Sequence, residues 1–161
     1  MLQLLWPDES ATQGFAQALA RLPELGGAFI TLHGDLGAGK TTLARHLLQA
    51  LSVSGRIKSP TYAIVEAYET DRFSIWHFDF YRFNDPQEWE DAGFRDIFAS
   101  AGLKLVEWPQ KADGLLPQAD LDLHLQTEGE TARRVSLHSH TPLGAALLQG
   151  LAAVTGAGPG A

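Results

Sequence analysis

The stretch Ala28-Phe29-Ile30-Thr31-Leu32-His33-Gly34-Asp35-Leu36-Gly37-Ala38-Gly39-Lys40-Thr41-Thr42-Leu43-Ala44-Arg45-His46-Leu47-Leu48 decides the fold. It opens with an apolar run over 28–32, bends through Gly34, Gly37 and Gly39, and continues as helix-compatible sequence. Gly34, four intervening residues, Gly39, Lys40 and Thr41 fit the pattern G-x-x-x-x-G-K-[ST] of a phosphate-binding P-loop. Glycines allow the backbone angles that turn successive N–H groups inward onto one anion, and the following helix aims its positive end at the same point. Lys40 then reaches the β and γ phosphates as a point charge, and the Thr41 hydroxyl ligates the Mg²⁺ that bridges them. A chance glycine-rich turn is the competing reading. The strand before and the helix after count against it.

Composition narrows the class. At 161 residues and 45% apolar, the chain reads as a single domain over 1–154 with a flexible tail over 155–161. Its apolar runs are too short to span a bilayer, and the N-terminal segment is too short and acidic for a secretion signal, so a cytoplasmic protein without membrane contact is expected. Absence of cysteine excludes disulfides and thiolate metal sites. Twelve basic against 19 acidic residues give a net charge of −7, without the basic face that binds nucleic-acid phosphates. Between Glu66 and Asp96 acidic residues are balanced only by Arg72, Arg82 and Arg95. Two readings stand for that segment: a solvated face, or a docking surface for a basic partner.

Outward from the loop, the 2–6 segment reads as a strand broken by Pro7. Ser10 is placed to cap a helix over 11–22 carrying Phe15, Leu19 and Leu22. After the P-loop a helix over 40–51 turns Leu43, Leu47 and Leu48 to the core. Ser59-Pro60-Thr61 holds two hydroxyls on a stiff, extended turn; it is either a switch sensing the γ-phosphate or an ordinary turn before a strand. The runs 62–69 and 73–80 read as a hairpin. The second run ends in Asp79, which has the position of a Walker B carboxylate. Alternation sends His77, Asp79 and Tyr81 to one face and Phe78 and Phe80 to the other. Two short helices interrupted at Gly93 follow. A strand over 103–106 then delivers Glu107, placed to converge with Asp79 on a metal or on an attacking water. A second hairpin, 121–125 with 133–137, and a helix over 142–154 complete the chain. His138-Ser139-His140 reads as a solvated strand end, because no carboxylate or third histidine stands at ligand spacing. The fold class expected is α/β, a three-layer P-loop NTPase-like fold whose mixed sheet contains antiparallel hairpins.

Four motifs in register, Gly34 to Thr42, Lys58-Ser59-Pro60-Thr61-Tyr62, His77-Phe78-Asp79-Phe80-Tyr81-Arg82 and Val106-Glu107-Trp108-Pro109, closely resemble the TsaE (YjeE) family of bacterial ATPases. That resemblance implies a Mg²⁺- and ATP-dependent role in making N6-threonylcarbamoyladenosine at position 37 of tRNA. The family acts on a complex of two partners, TsaB and TsaD, and reaches tRNA only through them. Carried onto this chain, Lys40, Asp79 and Glu107 would be catalytic. Thr41 and Glu107 would ligate Mg²⁺, with Asp79 acting at the metal and the γ-phosphate. Asp35, Leu36, Gly37, Ala38, Gly39, Lys40, Thr41 and Thr42 would cradle the phosphates, and Arg134, with Glu9 and Thr12, would shape the adenine pocket. His33 stands where the family pattern has tyrosine.

Hydrolysis by the isolated chain should be slow, since no arginine other than Arg82 is placed to steady the transferring phosphoryl group. A GTPase would need N-K-x-D, and the sole asparagine is Asn84. A small-metabolite kinase and a non-catalytic nucleotide sensor are the other readings.

Overall fold

The strand that feeds the glycine loop runs down the middle of the sheet. The computed structural model describes residues 1–155 and orders them as β1 (Leu2–Trp6), α1 (Glu9–Ala20), β2 (Phe29–His33), α2 (Lys40–Ala50), β3 (Val65–Glu69), β4 (Ser74–Asp79), α3 (Pro86–Asp91), α4 (Phe94–Ala99), β5 (Leu103–Glu107), β6 (Leu121–Glu128), β7 (Ala132–Ser139) and α5 (Pro142–Thr155). One seven-stranded sheet follows the order β1-β7-β6-β2-β5-β4-β3. β2 pairs in parallel with β5 and β6, and β4 with β5, whereas β3–β4, β6–β7 and β1–β7 are antiparallel. Helices on both sides make this the three-layer α/β arrangement with antiparallel hairpins.

The two sides of the sheet are packed with different chemistry. On one, α2 buries Leu43, Ala44, Leu47 and Leu48 at helical spacing, together with Phe15 and Leu19 of α1 and Leu147 and Leu151 of α5. They meet Ile30, Leu32, Leu105, Leu123 and Val135 of the strands. Leu47 is 1% exposed, so truncating it to alanine is expected to cost about 2–5 kcal/mol. On the other side α3 and α4 cap an aromatic cluster of Phe78, Phe80, Trp89 and Phe94. Its rings sit edge-on or stacked, with Phe78 and Phe94 5.3 Å apart at 89°. Such pairs contribute roughly 0.5–1.5 kcal/mol each beyond the area they bury. Phe29 and Val106 limit this cluster to the β2–β5–β4 half of the sheet.

Several element boundaries differ from expectation, each for a local reason. Asp8, not Ser10, caps α1; its Oδ1 accepts the Ala11 N–H at 3.0 Å. α1 ends at Ala20 because Pro23 drives Leu22 to an extended conformation (ψ 129°). β3 begins only at Val65, since Ile64 N–H closes a turn onto the Pro60 carbonyl at 2.8 Å. α5 continues to Thr155, whose hydroxyl donates to the Leu151 carbonyl at 2.8 Å. The rest of the expected tail, 156–161, lies outside the described residues.

Candidate functional site

Three adjacent parallel strands carry the polar side chains to one place. Register sets Leu32 opposite Glu107 and Asp79 opposite Glu107, so the ends of β2, β5 and β4 stand side by side. Alternation along β4 then points Ile75, His77 and Asp79 toward the α2 side and Phe78 into the aromatic cluster. The same edge receives the glycine loop. A Cβ at Gly34 would stand 2.5 Å from the Leu125 carbonyl oxygen, and Gly39 has φ 107°, a conformation that side chains disfavour.

Lys40 opens α2 and is 5% exposed. Its Nζ donates to the carbonyls of Gly34 and Asp35 and lies 4.1 Å from the centre of the Trp108 ring. Burial pulls its ammonium below the usual lysine range, against the pull of Glu107, Asp79 and Asp35. The next residue, Thr41, donates its hydroxyl to Glu107 Oε1 at 2.8 Å, while His77 Nε2 lies 2.6 Å from Glu107 Oε2. His77 and Glu107 side chains are each 2% exposed.

Asp79 is buried too, and its Oδ1 accepts the Tyr81 N–H at 2.9 Å. Burial raises its carboxyl above the ordinary range; the Tyr81 N–H opposes the rise, and the Glu107 charge adds to it. Its own N–H donates to the carbonyl of Ile64, a β-branched residue held at φ 68°. Such a conformation costs of order 1–3 kcal/mol and persists only where the surroundings fix it, here by pinning the chain at Asp79.

These groups line a cleft of about 380 Å³. Its walls include Leu36, Gly37, Ala38, Gly39, Lys40, Thr41, Thr42, Asp79 and Glu107, with Thr61, Tyr81, Arg82 and Trp108 opposite. Asp35 lies behind the loop, contributing its carbonyl to Lys40. Glu9 and Thr12 line a smaller adjoining pocket of about 80 Å³ that shares Gly39, Thr42 and Arg133 with the cleft. The donor set of one hydroxyl and two carboxylates is hard oxygen, which suits Mg²⁺.

Arg134 is not at this site. It points to solvent from β7 and pairs with Glu128 at 2.8 Å. Its neighbour Arg133 shares the face of Val135 and Leu137, and reaches the loop with Nε donating to the Ala38 carbonyl at 2.9 Å. The alternation Arg133, Val135, Leu137 carries that distinction in the sequence. His77, placed by alternation on the face of Asp79, gains its partner only from the packed strands, through its contact with Glu107. Thr61 comes within hydrogen-bond distance of the Ser59 hydroxyl, 2.7 Å, and Arg82 sits 4.8 Å from the Tyr62 ring. In the acidic segment Glu69, Asp71, Asp85, Glu90, Asp91 and Asp96 are exposed and Glu66 and Glu88 half-buried, while Asp79 faces inward. Among the described residues no helix is long and apolar enough to cross a membrane.

Comparison with known proteins gives one consistent picture. Residues 6–135 match the family model described as threonylcarbamoyl adenosine biosynthesis protein TsaE. A curated relative from Haemophilus influenzae, named tRNA threonylcarbamoyladenosine biosynthesis protein TsaE, is 43% identical over 130 residues, covering 81% of this chain and 82% of its own. A Bacillus subtilis protein of the same name is 34% identical over 140 residues, covering 84% and 85%. Among solved structures, Bacillus subtilis YdiB superposes with a TM-score of 0.74 at 26% identity, covering 96% of this chain and 98% of that one.

Proposed function

The chain belongs to the TsaE family, and on that premise we propose that it is a Mg²⁺-dependent ATPase serving N6-threonylcarbamoyladenosine formation at position 37 of tRNA. It would do so through ATP-driven cycling of a TsaB–TsaD partner complex. The observation that carries this reading is the Thr41–Glu107 hydrogen bond, 2.8 Å long, which joins the exposed start of α2 to a buried carboxylate in the cleft that Asp79 also lines.

Loop N–H groups and the start of α2 would bind the phosphate oxygens, and Lys40 would add its charge by leaving the Gly34 and Asp35 carbonyls for a phosphate. Thr41 and Glu107 would hold Mg²⁺ with Asp79 next to them, and the ion would neutralise charge developing on the β and γ oxygens. His77 positions Glu107 by holding its second oxygen. Asp79, whose carboxyl is raised by burial, orients the attacking water and accepts its proton. Trp108 keeps water from the far side of Lys40. Arg82, lining the same cleft, is the cis group placed to steady the transferring phosphoryl. Arg133, by gripping the Ala38 carbonyl, braces the loop toward the pocket of Glu9 and Thr12.

A chain of net charge −7 without a basic stripe engages tRNA through partners. The test is phosphate release by the purified chain with and without Mg²⁺, then with TsaB and TsaD added. Slow Mg²⁺-dependent release, accelerated by the partners, is expected. Transfer of phosphate to a small-molecule acceptor in place of water would overturn the proposal.

A further inference from the structure

Four of the chain's six histidines gather on the sheet outside the lining of the cleft. Register sets Thr31 opposite Asp122, His33 opposite His124 and Asp122 opposite His138, so alternation turns all five to the side of the sheet away from α2. The aromatic cap stops at β2, and this half of the face is open, with Asp122 half-buried and His124 exposed. Asp122 Oδ1 accepts the Thr31 hydroxyl, and Oδ2 lies 2.5 Å from His140 Nε2. His33 Nε2 stands 3.9 Å from Asp122 Oδ1, and its ring stacks on that of His124 with centroids 4.3 Å apart. His138-Ser139-His140 remains a partly exposed strand end outside the trio of His33, Asp122 and His124, but a carboxylate does meet it: Asp122 of the hairpin partner β6 faces His140, and His33 joins the group from β2, distant in sequence.

One ligand atom from each of His33, Asp122 and His124 lies within 4.8 Å of the other two. Tetrahedral Zn²⁺, with bonds of about 2.0–2.2 Å, holds its ligand atoms roughly 3.3 Å apart. Rotation of two partly exposed imidazoles supplies that closure. We infer that His33, Asp122 and His124 form a binding site for one transition-metal ion of the Zn²⁺ class, separate from the nucleotide cleft. Two imidazoles and a carboxylate select Zn²⁺, Ni²⁺ or Co²⁺ over Mg²⁺, which prefers six oxygens. His140 is a positioning residue that orients the carboxylate through its second oxygen. A fourth coordination position faces solvent. Because His33 directly precedes Gly34, an ion here ties β2 to β6 at the root of the phosphate loop.

The test is calorimetric titration of the full chain with Zn²⁺ in the absence of nucleotide, with the histidine ring protons followed by NMR. The wild type should bind one equivalent, moving the His33 and His124 signals and leaving His46 in place, and an equal concentration of Mg²⁺ should move neither. His124→Gln, a surface change, should weaken binding about ten-fold or more, and His140→Gln should weaken it less. In the wild type the ion should also raise the thermal midpoint, an effect missing in His124→Gln. No Zn²⁺ binding by the wild type, unchanged affinity in His124→Gln, or ring shifts confined to His46 or His77 would each overturn the assignment.

Discussion

Two carboxylates in this protein are gripped in the same manner and placed very differently. Glu107 accepts a threonine hydroxyl on one oxygen, 2.8 Å from Thr41, and meets a histidine on the other, 2.6 Å from His77. Asp122 repeats the pattern with Thr31 and His140. Glu107 is 2% exposed beneath a glycine loop; Asp122, with a side chain 21% exposed, lies on an open stretch of sheet. The local motif therefore does not make a phosphate site. On the proposed reading burial does, together with the glycine loop and a lysine arriving from the same helix start. The open triad, lacking those, is left with the imidazole-rich donors that suit a softer ion.

The largest contrast should appear in turnover. Lys40→Ala and Asp79→Ala are each expected to lower ATP hydrolysis by about a hundred-fold or more, on the scale of removing a transition-state charge partner. Asp122→Asn should leave hydrolysis unchanged. Phosphate-release rates on the three variants measure this, and comparable losses in all three would erase the distinction between the triads.

Stability should separate the triads next. His77→Ala leaves a carboxylate in the core without one of its partners and should cost about 3 kcal/mol or more by urea unfolding. His140→Ala, at a surface pair, should cost less than about 1 kcal/mol. Equal costs would mean that burial does not set the difference.

How far these features were readable from sequence depends on whether they are local. Gly34, Gly39, Lys40 and Thr41 are contiguous, and the strand-ending Asp79 follows from alternation with Phe78 and Phe80, so the loop and its neighbouring strand stand out in one dimension. The Asp122 triad does not, because Thr31 and Asp122 are 91 residues apart and meet only through the β2–β6 register. Asp8 and Ser10 are equally good caps by chemistry; Pro23, which ends the helix early, and the Asp8–Ala11 bond fix the frame. Arg133 and Arg134 are adjacent and chemically identical, and only the face shared with Val135 distinguishes them.

That pair gives a smaller test. Arg133→Ala, which frees the Ala38 carbonyl, should raise the KM for ATP several-fold, while Arg134→Ala should not change it. The reverse ranking would return the adenine-side role to Arg134.

The smallest effect is in the pH dependence. Asp79 titrates above its ordinary 3.8, so between that value and its raised one the native chain holds more proton than the unfolded chain, and stability falls as pH climbs through the window. Lys40 titrates below its ordinary 10.5, which gives the opposite sign: stability rises with pH between its lowered value and 10.5. Urea midpoints across the acid window should therefore slope downward more steeply in the wild type than in Asp79→Asn, which keeps the oxygen that accepts the Tyr81 N–H. Asp122 has the opposite shift. Burial acts to raise it, but the nearby His33 imidazole and the hydrogen bonds with Thr31 and His140 together prevail and hold its carboxyl well below the usual range, so Asp122→Asn should remove stability that grows with pH.

On the proposed reading Glu107, and not Asp122, serves a magnesium ion and a nucleotide. Calorimetric titration of ATP with and without Mg²⁺ into wild type, Glu107→Gln and Asp122→Asn tests it directly. Mg²⁺ is expected to tighten ATP binding in the wild type and in Asp122→Asn and to have little effect in Glu107→Gln. Undiminished Mg²⁺ dependence in Glu107→Gln, or its loss in Asp122→Asn, would contradict it.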